Sequence, residues 1–160
     1  MLINNPKFIV DHNVGKLAKW LRIMGYDTLF FNDEDDSNMI DIALTENRII
    51  LTRDTQIAKR RVVIRRRLEA VLVTNDKPER QLHQIIEKLK LDQQLKPFTI
   101  CLECNEPLVE RDKKLLKNQV PPYVFKTQNQ YMECPACHRI YYRGTRWQAM
   151  IRNLNKLMLG

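Results

Sequence analysis

Four cysteines stand in two matching pairs, Cys101-Leu-Glu-Cys104 and Cys134-Pro-Ala-Cys137, with 29 residues between the pairs. Two intervening residues let one turn present both sulfurs to adjacent corners of a tetrahedron, so the two knuckles predict a structural Zn2+ site with every corner filled by thiolate. A pair of disulfides would need an oxidising compartment that nothing in the sequence indicates. A redox C-x-x-C normally opens a helix in a βαβ unit and does not pair with a second knuckle. His138, directly after Cys137, reads as a knuckle residue and not as a fifth ligand.

The second chemistry is that of carboxylates. Three short apolar runs are each followed closely by an aspartate: Phe8-Ile-Val10 by Asp11, Ile49-Ile-Leu51 by Asp54, and the run from Ala70 to Thr74 by Asp76. A fourth acid comes from the helix expected over Ser37 to Asn47. At about 100° per residue, Met39, Ile40 and Ala43 fall within about 60° of Asp36, whereas Asp41 falls about 140° away on the solvated face. Asp33, Glu34 and Asp35 are loop acids. Convergent carboxylates repel one another unless a cation sits between them, and an oxygen-only donor set favours Mg2+ or Mn2+. Such ions activate water and stabilise in-line displacement at phosphorus. The expected catalytic residues are therefore Asp11, Asp36, Asp54 and Asp76, with Asp11, Asp36 and Asp54 as ligands of the Mg2+ or Mn2+. His12 adjoins Asp11, and His83 reads as a surface residue of a helix.

These side chains need elements that bring them together. Residues 1–95 alternate strand and helix: a strand at Phe8 to Val10, a helix from Val14 to Met24 capped by Gly25, and a strand at Thr28 to Phe31. The Ser37 to Asn47 helix follows, then a strand at Arg48 to Thr52 and a helix from Thr55 to about Arg67. A strand at Glu69 to Thr74 and a helix from Pro78 to Leu91 complete the series. The alternation predicts an α/β fold with a doubly wound parallel sheet, whose strand carboxyl ends share one edge where such folds build their sites. Pro97 marks the expected boundary between a domain over 1–96 and a zinc-stapled region over 97–160, too poor in core to fold without its metal.

The 160 residues carry a formal charge of +8, with +3 in residues 1–99 and +5 in the remainder. A basic balance of this size favours a polyanionic partner. Lys59, Arg60, Arg61, Arg65, Arg66 and Arg67 put six cations in nine residues, where a solvated helix face normally mixes signs. Together with Lys16, Lys19 and Arg22 on the polar side of the first helix, Arg53, Arg143 and Arg146, they are the expected phosphate contacts. No apolar stretch approaches the roughly 18 residues of a membrane span, and no signal-peptide core is visible, so no membrane partner and a cytoplasmic location are expected.

The run Asp11-x-x-x-Gly15-Lys16-Leu17-Ala18-Lys19-Trp20-Leu21-Arg22-x-x-Gly25-Tyr26-Asp27 and Leu51-Thr52-Arg53-Asp54 are joined by the two knuckles. Pro121-Pro122-Tyr123 lies between the knuckles, and Ile140-Tyr141-Tyr142-x-Gly144-Thr145-x-Trp147 follows them. Over nearly the whole chain this resembles the Mut-seven C-terminal RNase domain family. The resemblance implies a PIN-like metal-dependent ribonuclease domain followed by a small zinc ribbon, with acidic residues at Asp11, Asp36 and Asp54. Tyr142 stands where that family usually has Trp, and Arg146 where it usually has His. The expected function is Mg2+- or Mn2+-dependent hydrolysis of RNA phosphodiester bonds, with free RNA, tRNA or the ribosome as partner. A noncatalytic RNA- or ribosome-binding adaptor on the same fold is the alternative, and a toxin-like ribonuclease would share the chemistry.

Overall fold

The computed structural model describes residues 5–159, so residues 1–4 and 160 of the two expected domains lie outside it. In chain order the elements are β1 (Lys7–Asp11), α1 (Lys16–Ile23), β2 (Thr28–Phe31), α2 (Asp36–Glu46), β3 (Arg48–Thr52), α3 (Thr55–Ala58) and α4 (Arg61–Ile64). They continue with β4 (Ala70–Leu72), α5 (Pro78–Leu89), β5 (Val109–Arg111), α6 (Pro122–Thr127), β6 (Tyr131–Glu133), β7 (Ile140–Tyr141) and α7 (Thr145–Leu159). Among the described residues β1 to β4 form one parallel sheet in the order β2-β1-β3-β4, and β5 to β7 form an antiparallel sheet in sequence order.

The parallel sheet is wound on both faces because its strands are apolar on both. Phe8, Val10, Ile49, Leu51, Val71 and Val73 pack with Leu17 and Leu21 of α1 and Leu82, Ile85 and Ile86 of α5. The alternate residues Ile9 and Ile50 pack on the other face with Met39, Ile40 and Ala43 of α2, Ile57 of α3, and Leu68. Strand side chains alternate in direction, so consecutive apolar residues serve two cores at once. The chain leaves β1 toward β2, then crosses to β3 on the other side. The reversal puts the switch point of the sheet between β1 and β3, and in such folds the carboxyl ends of the strands at that point carry the site.

The helix expected from Thr55 to Arg67 is in fact two single turns. Arg60 is extended (φ −61°, ψ 143°) and caps α4, and Arg66 adopts a left-handed φ of 58°. In a continuous helix Val62 and Val63 would point more than about 90° away from Ile57. Breaking at Arg60 turns both valines toward the Ile57 core. The β-branched Val62, Val63 and Ile64 make a long helix here less favourable and so offer little resistance to the break.

The cysteine-bearing region is anchored to the amino ends of the parallel sheet. The Asn105 side chain accepts from the backbone N–H of Thr28, the first residue of β2, at 2.8 Å and donates to Asp27. Burial would raise the Asp27 pKa, but hydrogen bonds from Arg48 and Asn105 hold it below the usual carboxylate range. Gly25, with φ +91°, lets the linker pass close by, since a Cβ there would lie 2.8 Å from Cβ of Lys96. Beyond the ribbon, α7 returns to the first core, where Leu154 is buried with Leu102 among the α1 and α5 side chains. Phe98 of the linker stacks on Trp147 of α7 at 4.3 Å.

Candidate functional site

Asp11 ends β1 and is 2% exposed. One carboxylate oxygen accepts from its neighbour His12, through the backbone N–H at 2.8 Å, with the ring Nδ1 3.0 Å away. The other accepts from the Thr52 hydroxyl at 2.7 Å, with the Asn13 amide 3.4 Å away. Thr52 is the last residue of β3, and its Oγ1 also accepts from the backbone N–H of Asp54 at 3.0 Å. One buried hydroxyl thus ties the ends of β1 and β3 into a single unit. Asp54 is further placed as the N-cap of α3, accepting from the backbone N–H of Gln56 at 2.8 Å.

Asp36 comes from the other side of β1. Asp35 caps α2 by accepting from the backbone N–H of Ser37, which sets Asp36 in the first turn, half-buried. Burial raises the Asp36 pKa, the negative charges of Asp54 and Asp11 raise it further, and Arg60 partly offsets them. Asp11 and Asp54 therefore both lie near enough to act on Asp36, and so does Arg60 of the basic segment. Asp41 is exposed, as its helical angle predicts. Asp76 is exposed in the turn after the edge strand β4.

Sequence reasoning left Thr52 and Asn13 without a role. Asn13 also accepts from the backbone N–H of Arg53 at 3.2 Å and so links the same two loops. A signal for Thr52 was present: a hydroxyl inside a strand buried at every position needs a partner, and the neighbouring strand ends in a carboxylate.

The four cysteine sulfurs lie within 4.8 Å of one another, the only such cluster of potential metal ligands among the described residues. Bonds of about 2.3 Å to a tetrahedral Zn2+ put sulfurs about 3.8 Å apart, and Cys101 Sγ lies 3.7 Å from Cys137 Sγ. In each knuckle the backbone N–H of the second cysteine donates to the first sulfur at 3.4 Å, Cys104 to Cys101 and Cys137 to Cys134. Tyr141 Oη accepts from the backbone N–H of Leu102 at 3.1 Å, which directs its own proton to Cys101 Sγ, also at 3.1 Å. Burial opposes ionisation of Cys101, yet these donors outweigh it and bring its pKa to about 7. Cys104, hydrogen-bonded to Cys137, is pushed up to about 12. Thiols this close cannot all ionise without a cation among them, so the donor set fits a structural zinc.

The expected phosphate contacts divide by location. Lys16, Arg53, Arg60, Arg61, Arg65, Arg66, Arg143 and Arg146 are exposed. Lys19 is exposed but paired with Glu103 at 3.0 Å. Arg22 is turned inward, 7% exposed, and donates to Thr28 O at 3.0 Å and Leu102 O at 2.7 Å. Its guanidinium joins ribbon to sheet and is not presented to solvent. Arg67 lines a cavity of about 210 Å3 with Lys7 and Arg48, at the amino ends of the strands and away from the carboxylates. No helix among the described residues is long and apolar enough to cross a membrane.

The family model described as Mut7-C RNAse domain matches residues 6–154. No curated protein and no solved structure gives a match.

Proposed function

Because the chain belongs to the Mut7-C RNAse domain family, which supports a nuclease-type enzyme, we propose that it is a ribonuclease hydrolysing RNA phosphodiester bonds at Asp11, Asp36 and Asp54 with Mg2+ or Mn2+. The observation that carries this reading is the convergence of the acids: Asp11 and Asp54 are tied through the Thr52 hydroxyl at the ends of neighbouring strands, and the charges of both act on half-buried Asp36. Repulsion of this kind is relieved by a cation, and the donors are oxygens suited to a hard one. A bound Mg2+ or Mn2+ would supply an activated water and neutralise charge at the phosphate.

The residues divide the remaining work. Thr52 holds the Asp11 carboxylate in orientation and fixes the turn that carries Asp54. Arg60, already close enough to act on Asp36, is placed to hold a phosphate beside the acids. His12, its side chain 60% exposed and its ring 3.0 Å from Asp11, is the proposed proton donor to the leaving oxygen. The zinc cluster has a structural role, because four thiolates leave no corner for substrate. RNA in the cytoplasm is the proposed substrate, whether free, as tRNA or on the ribosome.

Asp54→Asn tests the proposal, since asparagine also caps helices well and α3 should be kept. The variant should bind RNA as the parent does and lose Mn2+-dependent cleavage in a gel assay. Cleavage at the parental rate would exclude Asp54 from the site. A parent that binds RNA and cleaves it with neither metal would make the protein an adaptor.

A further inference from the structure

A groove of about 860 Å3 lies between α6, β7 and the start of α7. It draws on the two sequence stretches to which the carboxylate site assigns no role, Pro121-Pro122-Tyr123 and the run from Ile140 to Trp147. Tyr123, Tyr142 and Trp147 line it, interleaved with Arg139, Arg143 and Arg146.

The aromatic walls are held in place by their surroundings. Tyr131 is fully buried, and its hydroxyl lies 2.9 Å from Val124 O and 3.1 Å from Gln128 O, which fastens α6 to β6. Pro122 at the first helical position pre-sets the same helix. Tyr123 projects from it 76% exposed, the most exposed large apolar side chain among the described residues. On the opposite wall, the Tyr142 ring stands edge-on to Tyr131 at 6.1 Å. It also lies so near Gly144 that a Cβ there would come within 2.8 Å of it.

The charge of the groove is positive. None of Arg139, Arg143 and Arg146 forms an ion pair among the described residues, and the acid on the lining, Glu103, is paired with Lys19. Arg143 lies over the Phe98 ring at 5.7 Å, which leaves Arg139 and Arg146 for phosphates. One exposed ring, Tyr123, with half-buried Tyr142 and Trp147 and unpaired guanidinium groups along one groove, is what a flexible polyanion with accessible π-faces requires. In a duplex those faces are already stacked on neighbouring bases.

We propose that this groove holds unpaired bases of single-stranded RNA, with Tyr123 as a stacking platform and Arg139 and Arg146 on the backbone. The proposal rests on RNA being the substrate, but it needs no cleavage.

Full-length protein carrying Asp54→Asn, so that the probe survives, is titrated against a fluorescent single-stranded oligoadenylate and against a duplex of equal length. Adding Tyr123→Ala should weaken single-strand binding roughly 5- to 100-fold, the loss of one base stack, and leave the duplex affinity within about twofold. Tyr123→Phe should restore it, because the ring alone stacks. Arg146→Ala should weaken both probes and flatten the salt dependence by about one phosphate contact. The proposal is overturned if Tyr123→Ala binds the single strand as its background does, if both probes weaken equally, or if the background protein does not bind the single strand. Parental protein assayed in parallel separates the two readings. Cleavage with no Tyr123 effect leaves the ribonuclease standing and removes the groove, and a Tyr123 effect without cleavage does the reverse.

Discussion

Mn2+ titrated into zinc-loaded protein should raise the melting temperature of the parent by roughly 5–10 °C and leave Asp11→Asn almost unmoved. The reasoning begins with Asp36, whose pKa is raised in the fold by burial and by the charges of Asp54 and Asp11. A raised acid favours the fold while it is protonated, below its unfolded pKa, and that contribution is lost as pH rises through its folded value. At neutral pH the ionised Asp36 therefore works against the fold until a cation neutralises the cluster. A ligand at 100 times its Kd that binds only the native state adds about 2.7 kcal/mol, and each kcal/mol moves a domain of this size by about 2–4 °C. Asp11→Asn keeps the side-chain shape and the acceptor for His12, but removes the central charge. Without Mn2+ it loses one like charge beside Asp36 but also the carboxylate oxygen that accepts from Thr52, so each protein's shift is read against its own metal-free melting temperature. The parental shift should also shrink as pH is lowered into the carboxylate range, where protonated Asp36 no longer attracts the ion. Scanning calorimetry reads all three effects. Equal Mn2+ shifts in parent and variant, or no shift in the parent, would refute a metal site at these acids.

Thr52→Val removes the hydroxyl that donates to the buried Asp11 carboxylate and accepts from Asp54. It should cost about 1.5–3 kcal/mol in urea unfolding and lower Mn2+-dependent cleavage roughly 10- to 100-fold, as loss of a ligand-orienting group does. Thr52→Ser should recover both, and an unchanged urea midpoint for the valine variant would remove Thr52 from this role. Elemental analysis should find about one zinc per chain in the parent and much less in Cys104→Ser. Because buried Arg22 donates to Leu102 O beside the first knuckle, losing that acceptor should cost about 1–3 kcal/mol, lowering the main transition by about 2–12 °C. A metal-free chain whose ribbon stays ordered would contradict the zinc assignment.

Much of the parallel sheet was legible because its strands are apolar on both faces and its helices carry clear starts and stops. Asp36 was separable from Asp41 by helical angle alone, since Met39, Ile40 and Ala43 define the inward face whatever they pack against. Arg22 was not legible. Its place among Lys16 and Lys19 marks it as polar, and only the knuckle arriving from 80 residues away at Leu102 gives its guanidinium a buried acceptor. The break at Arg60 has the same origin: local charge pattern suggested one helix, and the core under Ile57, Val62 and Val63 required two turns. Nor did composition assign the helix Thr145–Leu159 to the first core, because Leu154 gains its burial from α1 and α5.

The ribbon is fastened to the amino ends of the parallel strands, through Thr28, Asp27 and Arg22. The three aspartates stand at the carboxyl ends. A parallel sheet cannot place those two edges together, so the cysteine cluster cannot contribute a ligand or a proton to the acidic site. What it can contribute is position. Tyr141 bonds to Cys101 and Leu102 and also lines the aromatic groove, so the order of the zinc site sets the order of that wall. In the proposed ribonuclease, zinc acts on how the RNA is held and the carboxylates act on how it is cut. The α1 helix runs between the two edges, with Lys16 exposed near one end and Arg22 locked to the ribbon at the other.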